Sequence, residues 1–197
     1  MKQYIKNQVK KSYETKQEIY NNDELLNKIV EVAQKCVALY KTDKKTILAG
    51  NGGSAADAQH IAAELVGRYG FDRPSIPSLA LTTDTSCLTA IGNDYGYEQI
   101  FSRQLEGMGQ AGDIFIGIST SGNSLNIIKA FESAKKKDIY TVALVGRDGG
   151  KMATMADASI IIPSDSTPRI QESHILIGHI LCDIIEKEIF ADGVSVK

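Results

Sequence analysis

No stretch of this chain is apolar for the roughly 20 residues that crossing a bilayer requires. The opening Met1-Lys2-Gln3-Tyr4-Ile5-Lys6 has no apolar core of the kind a secretory signal needs. The expectation is a cytoplasmic protein with no membrane role. Cysteine is scarce: Cys36, Cys87 and Cys182 are far apart, odd in number and free of any Cys-x-x-Cys spacing. Such a set excludes a disulfide framework and reads as reduced, small hydrophobic residues. Positive charge is not in excess either. The 22 Lys and Arg face 24 Asp and Glu, for a net charge of −2, so no nucleic-acid partner is expected. The run Lys135-Lys136-Lys137 reads as a solvated helix end. No Lys followed by Ser or Thr comes after the glycines at 50–53, which removes the Walker phosphate loop. Histidine is limited to His60, His174 and His179.

What is present is an ordinary globular composition. The 197 residues are 43% hydrophobic and 23% charged, enough for one domain with its own core. Residues 3–40 contain no Gly or Pro and read as helical, with Asn22 or Asp23 capping a second helix. In that helix Leu25, Leu26, Ile29, Val30, Ala33, Val37 and Tyr40 recur at helical spacing. Two helices ahead of the first strand cannot belong to a βαβ unit, so residues 1–42 are expected to form an arm used in oligomerisation. From Lys45 onward short apolar runs alternate with helical ones. Strands are expected at 46–49, 78–81, 114–118, 140–145 and 159–162, and helices at 55–66, 97–108, 125–136, 152–155 and 169–190. This alternation predicts a parallel sheet covered on both faces, with ligands beyond the carboxyl ends of the strands.

Two segments fall at those ends. Gly50-Asn51-Gly52-Gly53-Ser54 follows the first strand and opens a helix; glycines let the backbone approach a ligand, and the helix N-terminus suits an anion. Gly50-x-Gly52-x-x-Ala55 also fits a dinucleotide fingerprint, but the acidic residue that pattern wants, Asp84, comes about 30 rather than 20 positions on, which disfavours a nucleotide. Ser119-Thr120-Ser121-Gly122-Asn123-Ser124 follows the third strand and opens another helix. Hydroxyls, a glycine and a helix start within six residues make a cradle for a phosphate monoester, beyond what a simple cap needs. His60 and Glu64, four apart, share a helix face. Gln171 and His179 are separated by about 80° in projection and can face one cleft. His60, Glu64 and a second histidine allow a mixed N/O metal site. His174 is read as pointing elsewhere, Glu186 and Glu188 as a solvated face. Asn93 and Asp94 are placed in a polar loop after the segment 86–91, from which Asp94 could reach sugar hydroxyls.

These motifs resemble the sugar isomerase (SIS) domain superfamily, and within it the phosphoheptose isomerases. The resemblance rests on Gly50 to Ser54, Asp57-Ala58-Gln59-His60, Ala63-Glu64-Leu65, Gly67-Arg68-Tyr69, Arg73-Pro74, Gly92-Asn93-Asp94, Ile118 to Ser124, Asp148-Gly149-Gly150-Lys151-Met152-Ala153 and Arg169-Ile170-Gln171-Glu172. It implies a three-layer αβα sandwich, flavodoxin-like, with a five-stranded parallel sheet and an N-terminal helical arm, the SIS domain spanning 43–192. It further implies a cytoplasmic homotetramer with active sites at subunit interfaces, converting the sugar phosphate D-sedoheptulose 7-phosphate to D-glycero-D-manno-heptose 7-phosphate, the entry to the heptose of bacterial surface polysaccharide. By the same resemblance one zinc per subunit would be held by His60, Glu64, Gln171 and His179. Substrate contacts would fall on Asn51, Gly52, Gly53, Ser54, Glu64, Asn93, Asp94, Ser119, Thr120, Ser121, Ser124 and Gln171. Ketose–aldose isomerisation moves a proton between adjacent carbons through an enediol, so it needs a base, an acid and a positive centre. Glu64 is the expected base and His179 its partner acid–base, and this requires Glu64 to be held loosely by any metal. Rival readings are an isomerase of another sugar phosphate and a non-catalytic relative that binds the replication initiator. That relative lacks residues equivalent to Glu64 and His179, both present here. A sugar-phosphate-sensing regulator would need a DNA-binding domain that residues 1–42 are too short to form.

Overall fold

The computed structural model describes residues 1–190; the expected domain end at 192 lies outside them. Helices α1 (Lys2–Tyr20) and α2 (Asp23–Tyr40) lead into β1 (Thr46–Gly50), α3 (Gly53–Val66), β2 (Ser78–Ala80) and α4 (Thr85–Tyr95). A 3₁₀ turn (Tyr97–Gln99), α5 (Ser102–Met108), β3 (Ile114–Ser119), α6 (Leu125–Lys136), β4 (Tyr140–Gly146), α7 (Gly150–Met155), β5 (Ala158–Ile162) and α8 (Thr167–Phe190) complete the order. All five strands are parallel, in the order β2-β1-β3-β4-β5. The chain steps outward from β1 to β2 and then returns to β3 on the other side. The β1/β3 junction is therefore the switch point at which such sheets open a crevice. Register puts Gly50 beside Ile118 and Ser119 beside Val145, so both loops predicted to bind ligand leave the sheet at that crevice. The opposite rim carries turns at Asp43, Gly112 and Asp138, all with positive φ.

Alternation within the strands explains the two layers of helix. Leu48, Ile116, Ile118, Val142, Leu144 and Ile160 face a cluster shared with α2, α3 and α8. Ile47, Ala49, Phe115, Ala143 and Val145 face the other, filled by α5, α6 and α7. Successive residues point to opposite faces, and burying both faces gives the near-continuous apolar strands seen in sequence. Helix α2 begins where Asn22 accepts the Leu25 N–H at 3.0 Å, with Asp23 and Glu24 in the first turn opposing the helix dipole. Its Leu25, Ile29, Val32, Cys36 and Leu39 are buried in the core, whereas α1 buries only Thr15 and Ile19. No helix among the described residues is long and apolar enough to cross a membrane.

Three expectations are corrected. Asn93 and Asp94 lie in the last turn of α4, not in a loop. This helix is capped by Asp84, which accepts the Cys87 N–H at 2.9 Å. It contains no fully buried residue, so it lacks the periodic apolar stripe by which helices are read from sequence. The segment 97–108 is not one helix, because the 3₁₀ turn ends before α5 begins. Glu186 does not face solvent. It is 1% exposed and paired with an equally buried Arg73, Nε to Oε2 at 2.8 Å.

His174 does point away from the site, into the core. It is fully buried, and neither ring nitrogen has a hydrogen-bond partner among the described residues. Burial pushes its pKa from 6.5 down to about 4, and the nearby Val145 backbone opposes this only in part. A base with a lowered folded pKa holds fewer protons folded than unfolded. Stability is therefore whole above pH 6.5 and is lost as pH falls toward 4. The loss is on the order of 3 kcal/mol. In His174→Phe, denaturation midpoints compared at neutral and acid pH should fall less than in the unaltered protein. An identical drop in both would remove His174 from the acid response.

Candidate active site

The site is built on the two loops at the switch point and on two side-by-side helices, α3 and α8. Gly52, at φ 55°, turns the chain from β1 into α3, a conformation glycine adopts without strain. Gly53 lets the Gln171 carboxamide rest against the turn, since a Cβ there would sit 2.6 Å from its Nε2 and push that side chain aside. Asn51 is half-buried and Ser54 buried. Across the crevice, Ser119 Oγ lies 2.8 Å from Ser124 Oγ and 3.5 Å from Ser121 Oγ. The Ser121 hydroxyl also accepts the Asn123 N–H at 3.2 Å. The turn is locked from behind: a Cβ on Gly122 would collide with the Gly149 carbonyl, and the Met152 N–H donates to the Gly122 carbonyl. The hydroxyls of Ser119, Ser121 and Ser124 thus converge, with Thr120 partly exposed beside them.

The second half is a His-Glu-His cluster. His60 Nε2 lies 3.0 Å from Glu64 Oε1 and 3.4 Å from His179 Nε2. One ligand atom from each of the three falls within 4.8 Å of the others. The imidazoles of His60 and His179 meet edge to face at 5.0 Å. Two nitrogens, one carboxylate oxygen and partial exposure of all three residues suit a divalent ion of the zinc class, with room left for a ligand oxygen. The fit is in the donor set itself. Two imidazole nitrogens facing each other need a shared proton or a cation between them. Tyr69 closes one side, its ring 5.8 Å from that of His179. One turn before His60, burial pushes the Asp57 carboxyl up to about 6, the His60 imidazole opposing.

Gln171 lies on the same helix as His179. It packs on Gly53, seven residues before His60, and stands eight residues before His179. At 1.5 Å per residue that is about 12 Å back along α8 from His179. Its carboxamide belongs with the glycine turn. Asp94 lines a groove between α4 and α5 with Arg103, Gln104 and Met108. Asn93 donates to it at 2.8 Å.

The sequence reading missed what holds the cluster in place. The Glu186 carboxylate accepts the backbone N–H groups of Tyr69, Gly70 and Phe71 together with Arg73 Nε. Arg73 in turn donates to the carbonyls of Glu64, Leu65 and Gly67 at the end of α3. A cation there satisfies carbonyls the helix leaves open and complements its dipole. The available signal was spacing: Glu186 follows His179 by seven residues and so shares its face of α8. Asn126 and Tyr97 were also missed; both contact Asn51.

Residues 9–146 match the SIS domain family. Among curated proteins, the chain is 83% identical to the phosphoheptose isomerase of Sulfurimonas denitrificans, over 99% of this chain and all of that one. It is 60% identical to that of Aneurinibacillus thermoaerophilus, over the full length of both. Among solved structures, the phosphoheptose isomerase of Neisseria gonorrhoeae superposes with a TM-score of 0.89 at 44% identity, covering 94% of this chain and 98% of that one. That of Francisella tularensis gives 0.90 at 37%, covering 94% and 97%.

Proposed function

We infer the reaction from kinship: the chain belongs to the SIS-domain family and, within it, to the phosphoheptose isomerases. It is an aldose–ketose isomerase that converts D-sedoheptulose 7-phosphate to D-glycero-D-manno-heptose 7-phosphate, for the heptose of bacterial surface polysaccharide. The observations that carry this reading are the convergence of His60, Glu64 and His179 and the hydroxyl-lined helix start after β3. In it, Ser119, Thr120, Ser121 and Ser124 bind the phosphate with the N-terminus of α6. Gly52, Gly53, Ser54 and Gln171 border the sugar chain. Glu64 takes the proton from the carbon next to the carbonyl and returns it to the neighbouring carbon. Only its Oε1 is engaged among the described residues, which leaves Oε2 for the proton. His179 serves the carbonyl and hydroxyl oxygens. His60, Glu64 and His179, with Gln171 as the fourth member of the set, would hold a zinc ion, which when bound would polarise the sugar oxygens and stabilise developing negative charge.

Incubating the purified protein with sedoheptulose 7-phosphate and identifying the product by NMR tests the reaction. Chelation should abolish conversion, and added zinc should restore it. Absence of product from metal-loaded protein overturns the isomerase reading. Full activity after verified metal removal overturns the metal. The rival that binds the replication initiator is disfavoured because Glu64 and His179 are both here and face each other's partner, His60. We further propose a cytoplasmic homotetramer with residues 1–42 as its arm and sites at the subunit interfaces. Supporting this, Tyr4, Ile5, Val9 and Tyr13 of α1 are exposed, α4 buries no residue fully, and His60 opens to solvent. A neighbouring subunit is the route by which Asn93 and Asp94 would reach substrate.

A further inference from the structure

We propose that Asn51 and Asn126 form an amide clamp across the β1/β3 crevice, a positioning pair that holds the glycine turn in register with the hydroxyl cradle. The proposal rests on reading that cradle as the phosphate site. The two residues are 75 positions apart and bond reciprocally. Asn51 Nδ2 donates to Asn126 Oδ1 at 2.9 Å, and Asn126 Nδ2 donates to Asn51 Oδ1 at 2.8 Å. The Tyr97 hydroxyl donates to the same Asn51 Oδ1 at 3.0 Å. The Ile127 N–H donates to Asn126 Oδ1 at 3.0 Å. Asn126 is 3% exposed and sits in the first turn of α6, directly behind Ser124.

Counting donors and acceptors separates this role from direct substrate binding. A carboxamide oxygen has two lone pairs and its nitrogen two hydrogens. Both lone pairs of Asn51 are occupied, and one hydrogen is spent on Asn126. The side chain of Asn51 is thus a tie between loops, with a single N–H left for a ligand. An amide pair also suits its place. It supplies two bonds with no formal charge, where a carboxylate at either position would repel a phosphate. Backbone pairing between β1 and β3 stops at Gly50 and Ile118, so the amide pair continues the tie beyond the last strand residues.

The experiment is a double-mutant cycle on the full-length protein: Asn51→Ala, Asn126→Ala and both. Three readings are taken: the affinity for inorganic phosphate by calorimetry, KM and kcat for the sugar phosphate, and hydrogen exchange at residues 52–54 without ligand. Each single change should weaken phosphate binding about tenfold, the equivalent of one or two lost hydrogen bonds. KM should rise with it more than kcat falls, and exchange at 52–54 should quicken. The double variant should be no worse than either single one, because the pair acts as a unit. Tyr97→Phe should show the same pattern more weakly. Multiplicative losses would mean two independent contacts, and unchanged exchange at 52–54 in Asn126→Ala would mean no clamp; either overturns the proposal. If Asn126→Ala does not fold, the uncharged and similarly sized Asn126→Leu replaces it with the same expected and overturning readings. Turnover by the unaltered protein tests the isomerase reading, whereas ligand-free exchange tests the clamp, so one can fail without the other.

Discussion

Glu64→Gln should abolish turnover, lowering kcat by about a thousandfold or more, within the range that loss of a general base produces. The change is nearly isosteric. Its carbonyl oxygen can still face His60, but it cannot hold a proton at neutral pH. The fold has little reason to respond. The Glu64 side chain is 26% exposed, and the stabilising bond at this residue goes from Arg73 to its backbone carbonyl, which the substitution keeps. Melting temperature should therefore stay within a degree or two of the parent on the scale of surface substitutions. Metal content, measured beside kcat, separates two causes of inactivity. A variant that keeps its ion yet fails to turn over has lost the base. Near-normal turnover would remove Glu64 from the proton transfer.

Glu186→Ala should be the most damaging single change to stability. Removing one partner of a buried ion pair leaves the other charged and unpaired, at a cost of about 3–5 kcal/mol. Arg73 would be left with its charge inside the protein, and the N–H groups of Tyr69, Gly70 and Phe71 would lose their shared acceptor. For a chain of this size the melting temperature should fall on the order of 10 °C. The pH dependence has a definite sign. Burial pushes the Glu186 carboxyl up, but the bonds from Tyr69, Gly70, Arg73 and Phe71 outweigh it, and the net effect lowers its pKa. A lowered carboxyl contributes stability at neutral pH that disappears as pH falls through the folded value. Glu186→Ala should accordingly lose less on acidification than the parent. A shift of under 2 °C would show that solvent, not Arg73, is the effective partner of Glu186.

Sequence made the sheet plain because each strand is a short apolar run between glycine-rich or polar turns, and all five fall within a residue of their expected bounds. Helix α4 was not legible, since only Leu88 and Ile91 among its described residues pack on the core and Gly92, a poor helix former, sits within it. The His60, Glu64 and His179 cluster could be read because four-residue spacing fixes a shared helix face. Gln171 shares that side of α8 in projection, while axial rise sets its carboxamide against Gly53, a contact that spacing alone does not reveal. Glu186 was misread from its charge. Its neighbours Ile184, Ile185 and Ile189 pack into the core, and a carboxylate among them needed a buried cation, which was Arg73, 113 positions away.

The far rim of the sheet, where the chain turns at Asp43, Gly112 and Asp138, stands a full strand length from the hydroxyl loop after β3. Thr42 and Asp43 are exposed there. A fluorophore, purification handle or surface tether grafted at Asp43 would sit on the opposite side of the sheet from the hydroxyl loop, and so give a way to immobilise or track the enzyme while it works.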